Sequence, residues 1–162
     1  MLFRSRVVPV QLTAVHIPAA LDRPELVTRV GPNRVAIGDD VRWAAPLAQM
    51  MRRVLAQDLL ARLPAGSFVL PDAPAPAGTR SLVVTVLDFD ADSSGALKLQ
   101  AGWALAAPHA TSAAASRATT LTAHAASGAA DDQAAALSRV MAAFADDIAA
   151  ELLRAPDSTA GR

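Results

Sequence analysis

LDRPELVTRVGPNRVAIGDDVRWAAPLAQMMRRVLAQDLLARLP, residues 21–64, spells out a hairpin followed by a helix. Leu26–Val30 and Val35–Ile37 are two short β-prone runs, and Gly31-Pro32-Asn33 between them is a turn cluster. Asp39 and Asp40 come next, with carboxylates suited to the unpaired N–H groups of a starting helix. Pro46 fits a first helical turn, where its missing N–H costs nothing. Leu47, Met50, Met51, Val54, Leu55, Leu59 and Leu63 then recur at the spacing of one helix face. Arg52, Arg53, Gln57 and Arg62 fill the opposite face, and Pro64 and Gly66 end the helix. Met50 and Met51 read as core packing.

On the N-terminal side, Val7–Ile17 reads as a strand in which Val8, Val10, Leu12 and Ala14 alternate with Pro9, Gln11 and Thr13. Pro9, lacking a ladder donor, belongs at a strand start or edge. On the C-terminal side, Phe68–Leu70 is a short strand and Pro71–Gly78 a proline-rich surface loop. Ser81–Phe89 is apolar on both alternating sets, which suits the sheet interior. Leu97, Leu99, Ala101, Trp103 and Leu105 alternate with polar or small residues, so this run pairs with the previous one across Asp90–Gly95. A weak strand is expected around Arg117–Ala123. Asp131 and Asp132 open a second long helix with a stripe of Leu137, Val140, Met141, Phe144, Ile148 and Leu152. The order βββ-α-ββββ-α predicts an α+β two-layer sandwich, with two long helices on one face of a mostly antiparallel sheet. A single domain over 7–155 is expected, with unordered ends at 1–6 and 156–162.

Fifteen basic residues balance fifteen acidic ones, which argues against a nucleic-acid partner and against tight binding to an anionic membrane. No apolar run approaches the ~18–20 residues needed to span a bilayer. The absence of cysteine removes disulfides, thiol catalysis and thiolate metal sites. Arg4 and Arg6 are not followed by the apolar segment of a signal peptide.

Asp88, Asp90 and Asp92 before Gly95 invite a calcium loop, but Ser93 and Leu99 stand where an EF-hand needs glycine and a bidentate glutamate. A solvated hairpin turn is expected instead. His16, His109 and His124 lack ligand spacing. Gly66-Ser67 lacks the second glycine of a nucleophile elbow and enters a strand. With no phosphate loop either, the chain reads as non-enzymatic, with no cofactor and no metal.

The ordered string L-D-R-P-x-L-V-T-R-x-G-x-N, over Leu21–Arg29, Gly31 and Asn33, is followed by R-W-A-x-P-L at Arg42–Leu47 and by Arg53-Val54-Leu55. In these residues the chain resembles the ABC-type transport auxiliary lipoprotein components, the MCE-linked paraquat-inducible lipoprotein C type. The close match covers about a quarter of the sequence. The resemblance implies a fold like the N-terminal domain of TolB and a periplasmic, outer-membrane-associated accessory role in moving phospholipid between membranes. It implies an MCE-domain periplasmic protein as partner, and a homo-oligomeric ring when tethered. It also implies a signal and an acylated cysteine; neither is among these 162 residues, so the membrane would be reached only through an anchor absent from this chain.

Arg23, Arg29, Arg42 and Trp43 are the arginine and tryptophan side chains of that stretch. Two roles are open to them. They either pin the hairpin to the helix through loop carbonyls and a core cap, or contact the partner, since Trp and Arg concentrate interface energy. The competing function is a cell-envelope interaction module unconnected with lipid; a small hydrolase is more distant.

Overall fold

The computed structural model describes residues 8–22, 25–31, 34–42, 46–92 and 94–154, with the backbone alone for 25–31 and 34–42. The expected unordered ends fall outside these residues. In chain order come β1 (Val10–His16), β2 (Glu25–Gly31), β3 (Arg34–Arg42), α1 (Leu47–Arg62), β4 (Phe68–Val69), β5 (Arg80–Asp92), β6 (Ala96–Ala106), β7 (Ala115–His124) and α2 (Ala130–Arg154). That is the order the patterning predicts.

β5, the thirteen-residue run of β-branched and apolar residues, lies at the centre. β6 pairs antiparallel along one edge of it, from Ser81↔Ala106 to Ala91↔Leu97. The opposite edge is shared: β1 runs parallel to Arg80–Thr85, and β2 runs parallel to Ala91 and Asp92. β4 adds parallel to β1, β3 antiparallel to β2, and β7 antiparallel to β6. The sheet is therefore mixed, not mostly antiparallel: three parallel pairings stand beside three antiparallel ones, of which the two hairpins β2–β3 and β5–β6 are those the sequence predicts. The two-layer α+β class stands: α1 packs over β1 and β4, α2 over β6 and β7, and the helices pack on each other.

Two register shifts decide which side chains enter the core. Between Leu12↔Leu82 and Ala14↔Val83, β1 carries one extra residue, Thr13, whose hydroxyl donates to the Leu82 carbonyl at 3.2 Å. A bulge of this kind swaps the face of everything beyond it. The inward set moves from Val10 and Leu12 to Val15 and Ile17, so Ala14 does not continue the first set as strict alternation predicts. β5 repeats the device between Val86↔Ala101 and Asp88↔Gln100, where Leu87 is the extra residue. Leu82, Val84 and Val86 point inward before it, Phe89 and Ala91 after it, and Leu87 is left 53% exposed. β5 is thus buried on one face through most of its length, and the doubly apolar sequence reflects the switch between faces.

β6 keeps unbroken alternation, with Leu97, Leu99, Ala101, Trp103 and Leu105 all buried. The stripes of both helices close the core as their spacing predicts, with Leu47, Met51, Leu55 and Leu59 from α1 and Leu137, Val140, Met141, Phe144 and Ile148 from α2. Asp39 and Asp40 differ from expectation. They lie in β3, where Gly38–Val41 stand opposite the single residue Leu26 of β2, and α1 starts only after Pro46.

Phe144 is 1% exposed, so Phe144→Ala should lose about 3–5 kcal/mol in chemical denaturation through the cavity it leaves. Leu87→Thr should stay within about 0.5 kcal/mol, because the bulge already leaves Leu87 to solvent. Equal small losses in both variants would mean that α2 does not dock on the sheet.

Candidate partner-docking surface

Helix α1 needs an acceptor for its first N–H groups, and Pro46 brings no side chain able to serve. The acceptor comes from the other side of the hairpin: Asp22 Oδ1 accepts the Ala48 N–H at 3.0 Å. Asp22 is itself set in a tight turn, since its N–H and that of Leu21 donate to the Pro18 carbonyl. The chain thus leaves the body at Asp22, runs through β2 and β3, and returns to a helix capped by the residue it left from. Sequence reasoning assigned this duty to Asp39 and Asp40 because they are closer in the chain; the acceptor is 26 residues away from Ala48.

Arg29 and Arg42 fall on this hairpin, and Arg23 and Trp43 lie outside the described residues. The backbone register separates the two arginines. Arg42 stands opposite Glu25 at the hairpin base, and Arg29 opposite Val35 nearer the turn, where it also neighbours Asp92 of β5.

Asp92 opens the β5–β6 turn. Its Oδ1 accepts from the Ser94 N–H at 2.8 Å, the Ser94 hydroxyl at 2.6 Å and the Ala96 N–H at 3.0 Å. The hydrogen bond from the Ser94 hydroxyl, followed by that from Ala96, holds its carboxyl below the usual carboxylate range. Gly95 completes the turn at φ +86°, a conformation that favours glycine. Of the acidic triplet only Asp92 serves the turn as expected; Asp88 and Asp90 lie within β5, and Asp90 is buried at 6% exposure instead of solvated. Among the described residues no cluster of three His, Asp or Glu side chains is placed to hold a metal ion.

Ser67 is buried and spends its hydroxyl on the Pro64 carbonyl at 2.6 Å, a turn bond that leaves it no nucleophile's role. His16, His109 and His124 sit on the end of β1, on the loop after β6 and on the end of β7. Beside the hairpin base, Thr13–His16 of β1 and Ala48, Gln49 and Arg52 of α1 line a shallow notch closed by Asp72. Arg52 donates to Asp72 at 2.8 Å, and Gln11 holds the same loop through the Leu70 and Ala73 carbonyls. Of its polar groups, Thr13, Arg52 and Asp72 already serve the fold.

The helices are clasped by Arg62, which meets Asp146 of α2 at 2.5 Å and Asp58 of its own helix at 3.6 Å. Burial raises Asp58 above the usual carboxylate range; Arg62 opposes that rise and Asp146 adds to it. Asp58 and Asp92 therefore act in opposite senses. Asp92 lends stability that is lost as pH falls through its lowered value, whereas the contribution of Asp58 declines as pH rises through its raised one.

By class this is a two-layer α+β domain in which Ser67 and Asp92 serve turns and Asp22 ties the base of the hairpin to α1. The sequence profile of the ABC-type transport auxiliary lipoprotein component matches residues 3–149, and the chain belongs to that family. Comparison with curated proteins finds no match. Among solved structures, an uncharacterized protein is similar with a TM-score of 0.77 at 23% identity, covering 93% of this chain and 96% of its own. A DUF330 protein from Xanthomonas campestris has a TM-score of 0.74 at 16% identity, covering 94% and 89%. At these identities the likeness establishes the fold.

Carbon-13 NMR of the carboxyl groups should find Asp92 titrating below, and Asp58 above, the ordinary aspartate value of about 3.9. The reverse order would refute the hydrogen-bonding and burial described for them. Asp22→Ala should cost about 1 kcal/mol of stability by uncapping α1, while Asp39→Ala, on the hairpin strand, leaves the helix cap intact.

Proposed function

We propose that this domain is a non-enzymatic docking subunit of an MCE-linked, ABC-type system that moves phospholipid across the bacterial envelope. It works on the periplasmic side of the outer membrane and binds the periplasmic MCE protein through the segment 23–45. Family membership over 3–149 is the observation that carries this reading, and the anchored hairpin supports the choice of surface. A strand pair held by β5 along part of one edge and tied at its base presents a surface without the entropy cost of ordering a loose loop on binding. Arg23, Arg29, Arg42 and Trp43 supply the side chains of the contact, and copies of the domain associate with one another. No helix among the described residues is long and apolar enough to cross a membrane; in this reading attachment is through a lipid anchor. Tethering raises local concentration and lets modest contacts act together.

The test mixes the domain, free and tethered to liposomes, with the periplasmic part of the MCE protein encoded beside it, and reads association by mass photometry. Trp43→Ala and Arg42→Ala should weaken the complex at least about tenfold, the loss of one interface anchor, with the melting temperature unchanged. A fall in melting temperature with unchanged binding would assign these residues to structure alone. Indifference to the MCE protein at high micromolar concentration, even when tethered, would sink the transport reading and leave a general envelope interaction module.

A further inference from the structure

The two ends of the sheet differ. β1 and β5 start, β6 finishes and β7 starts at one end, through the pairings Val10↔Arg80, Ser81↔Ala106 and Leu105↔Ala115. Both helices finish there. Arg117, near the start of β7, reaches Glu151 of α2 at 2.8 Å, and Leu63 after α1 lines an apolar cleft with Leu152, Val8 and Val10. The hairpin joins at the opposite end, where β2 pairs with Ala91 and Asp92. The thirteen residues of β5 separate the two, about 40 Å at ~3.3 Å per residue.

The chain enters β1 at the end where the helices finish, and it is fastened as it enters. Arg80 donates from Nη2 to the Val8 carbonyl at 3.0 Å and from its backbone N–H to the Pro9 carbonyl at 2.8 Å. A tether preceding Val8 therefore pulls on this end of the domain. Among the described residues four large apolar side chains are exposed, and two of them, Leu60 at 51% and Leu153 at 58%, occupy the last turns of α1 and α2. In the last turn of α2 and the strand ends around it, Arg80, Arg117 and Arg154 stand against Glu151 alone. Asp92, Asp131 and Asp132 lie at the other end. The helix dipole accounts for an arginine in the last turn. It does not account for a leucine left in water beside that arginine. Such a pair suits a bilayer interface, where the apolar side chain enters the acyl boundary while the guanidinium stays among the headgroups.

We propose that the end of the domain carrying Leu153 and Arg154 rests on the bilayer interface, which turns the hairpin end away from the membrane. The proposal goes beyond attachment by an anchor: the folded surface itself touches lipid, and the domain stands on the membrane in one attitude. It rests on the reading that a lipid anchor precedes Val8. With basic and acidic residues balanced over the chain, so few leucines do not hold the free domain to a membrane. Tethering supplies the local concentration at which a contact this small takes effect.

The chain has no cysteine, so a single introduced thiol can be labelled cleanly. Leu153→Cys and Leu87→Cys, each carrying the environment-sensitive dye NBD, start from similar exposure, 58% and 53%. The full chain is tethered through an N-terminal hexahistidine to phosphatidylcholine–phosphatidylglycerol vesicles that bear a nickel-chelating lipid. On tethering, the Leu153 probe should shift to the blue and brighten several-fold, and spin labels near the headgroups should quench it. The Leu87 probe should stay in water. Arg154→Gln should reduce the shift, and unlabelled Leu153→Ser should be released by imidazole several-fold more readily, with the melting temperature unchanged. A Leu153 probe that stays in water on the vesicles overturns the inference. So does one already shielded without vesicles, by a segment of this chain if the shielding ignores protein concentration, or by a second copy if it grows with concentration. MCE binding by a tethered domain whose Leu153 probe stays in water would leave the transport reading standing alone. Lipid contact without MCE binding would leave this inference standing alone.

Discussion

The hydrogen bonding of β5 on both edges is the constraint that everything else depends on. β6 occupies one edge for nearly its whole length, which leaves β1 and β2 to divide the other. That division sends the hairpin out past the end of β1 and fixes where it joins the body. The extra residue at Leu87 then turns the second half of β5 over, so that Phe89 and Ala91 meet the core that Leu82, Val84 and Val86 began. Without the bulge, the half of β5 that carries the hairpin would offer its polar set, Asp88 and Asp90, to the helices.

Small residues let the helical layer settle closely on this sheet. Ala136, Ala145 and Ala149 of α2 and Ala56 of α1 are buried beside the larger Phe144, Leu55 and Ile148. Interiors pack to crystal-like density only when large and small side chains interlock. The alanine content, which overstates the supply of large apolar surface, is partly put to this use. Arg62 ties the two helices on their outer side, where exposure of the Asp146 partner keeps the ion pair's contribution modest.

Much of this was legible in the residues, and the exceptions have physical reasons. Element order, the β6 alternation and the α2 stripe follow from local periodicity, which a sequence carries in full. Parallel pairing leaves no local mark, since β1 and β5 are brought together by a connection that passes through a hairpin and a helix. Bulges are also silent: Leu87 looks like any core leucine, and Thr13 like any polar strand residue. The helix cap was misassigned because nearness in sequence favoured Asp39 and Asp40, while Asp22 reaches Ala48 across the hairpin. As for the candidate site, the turn at Asp92 could be read from the glycine and serine beside it, but not that β5 extends far enough to take in Asp88 and the buried Asp90. The Arg and Trp set could be picked out only as a motif, and the register divides Arg29 from Arg42 along the hairpin.

The Asp22–Ala48 hydrogen bond has an evolutionary consequence. It closes a loop in which the entry and exit of the hairpin are joined whatever lies between them. Loop closure costs grow only with the logarithm of length, about 0.6 kcal/mol for each doubling. The part of the segment beyond the pairing of Thr28 and Arg29 with β5 can therefore lengthen or shorten while β1, α1 and the core beneath them keep their geometry. In a lineage that changes partners, the inserted arm is free to drift on a body that stays put.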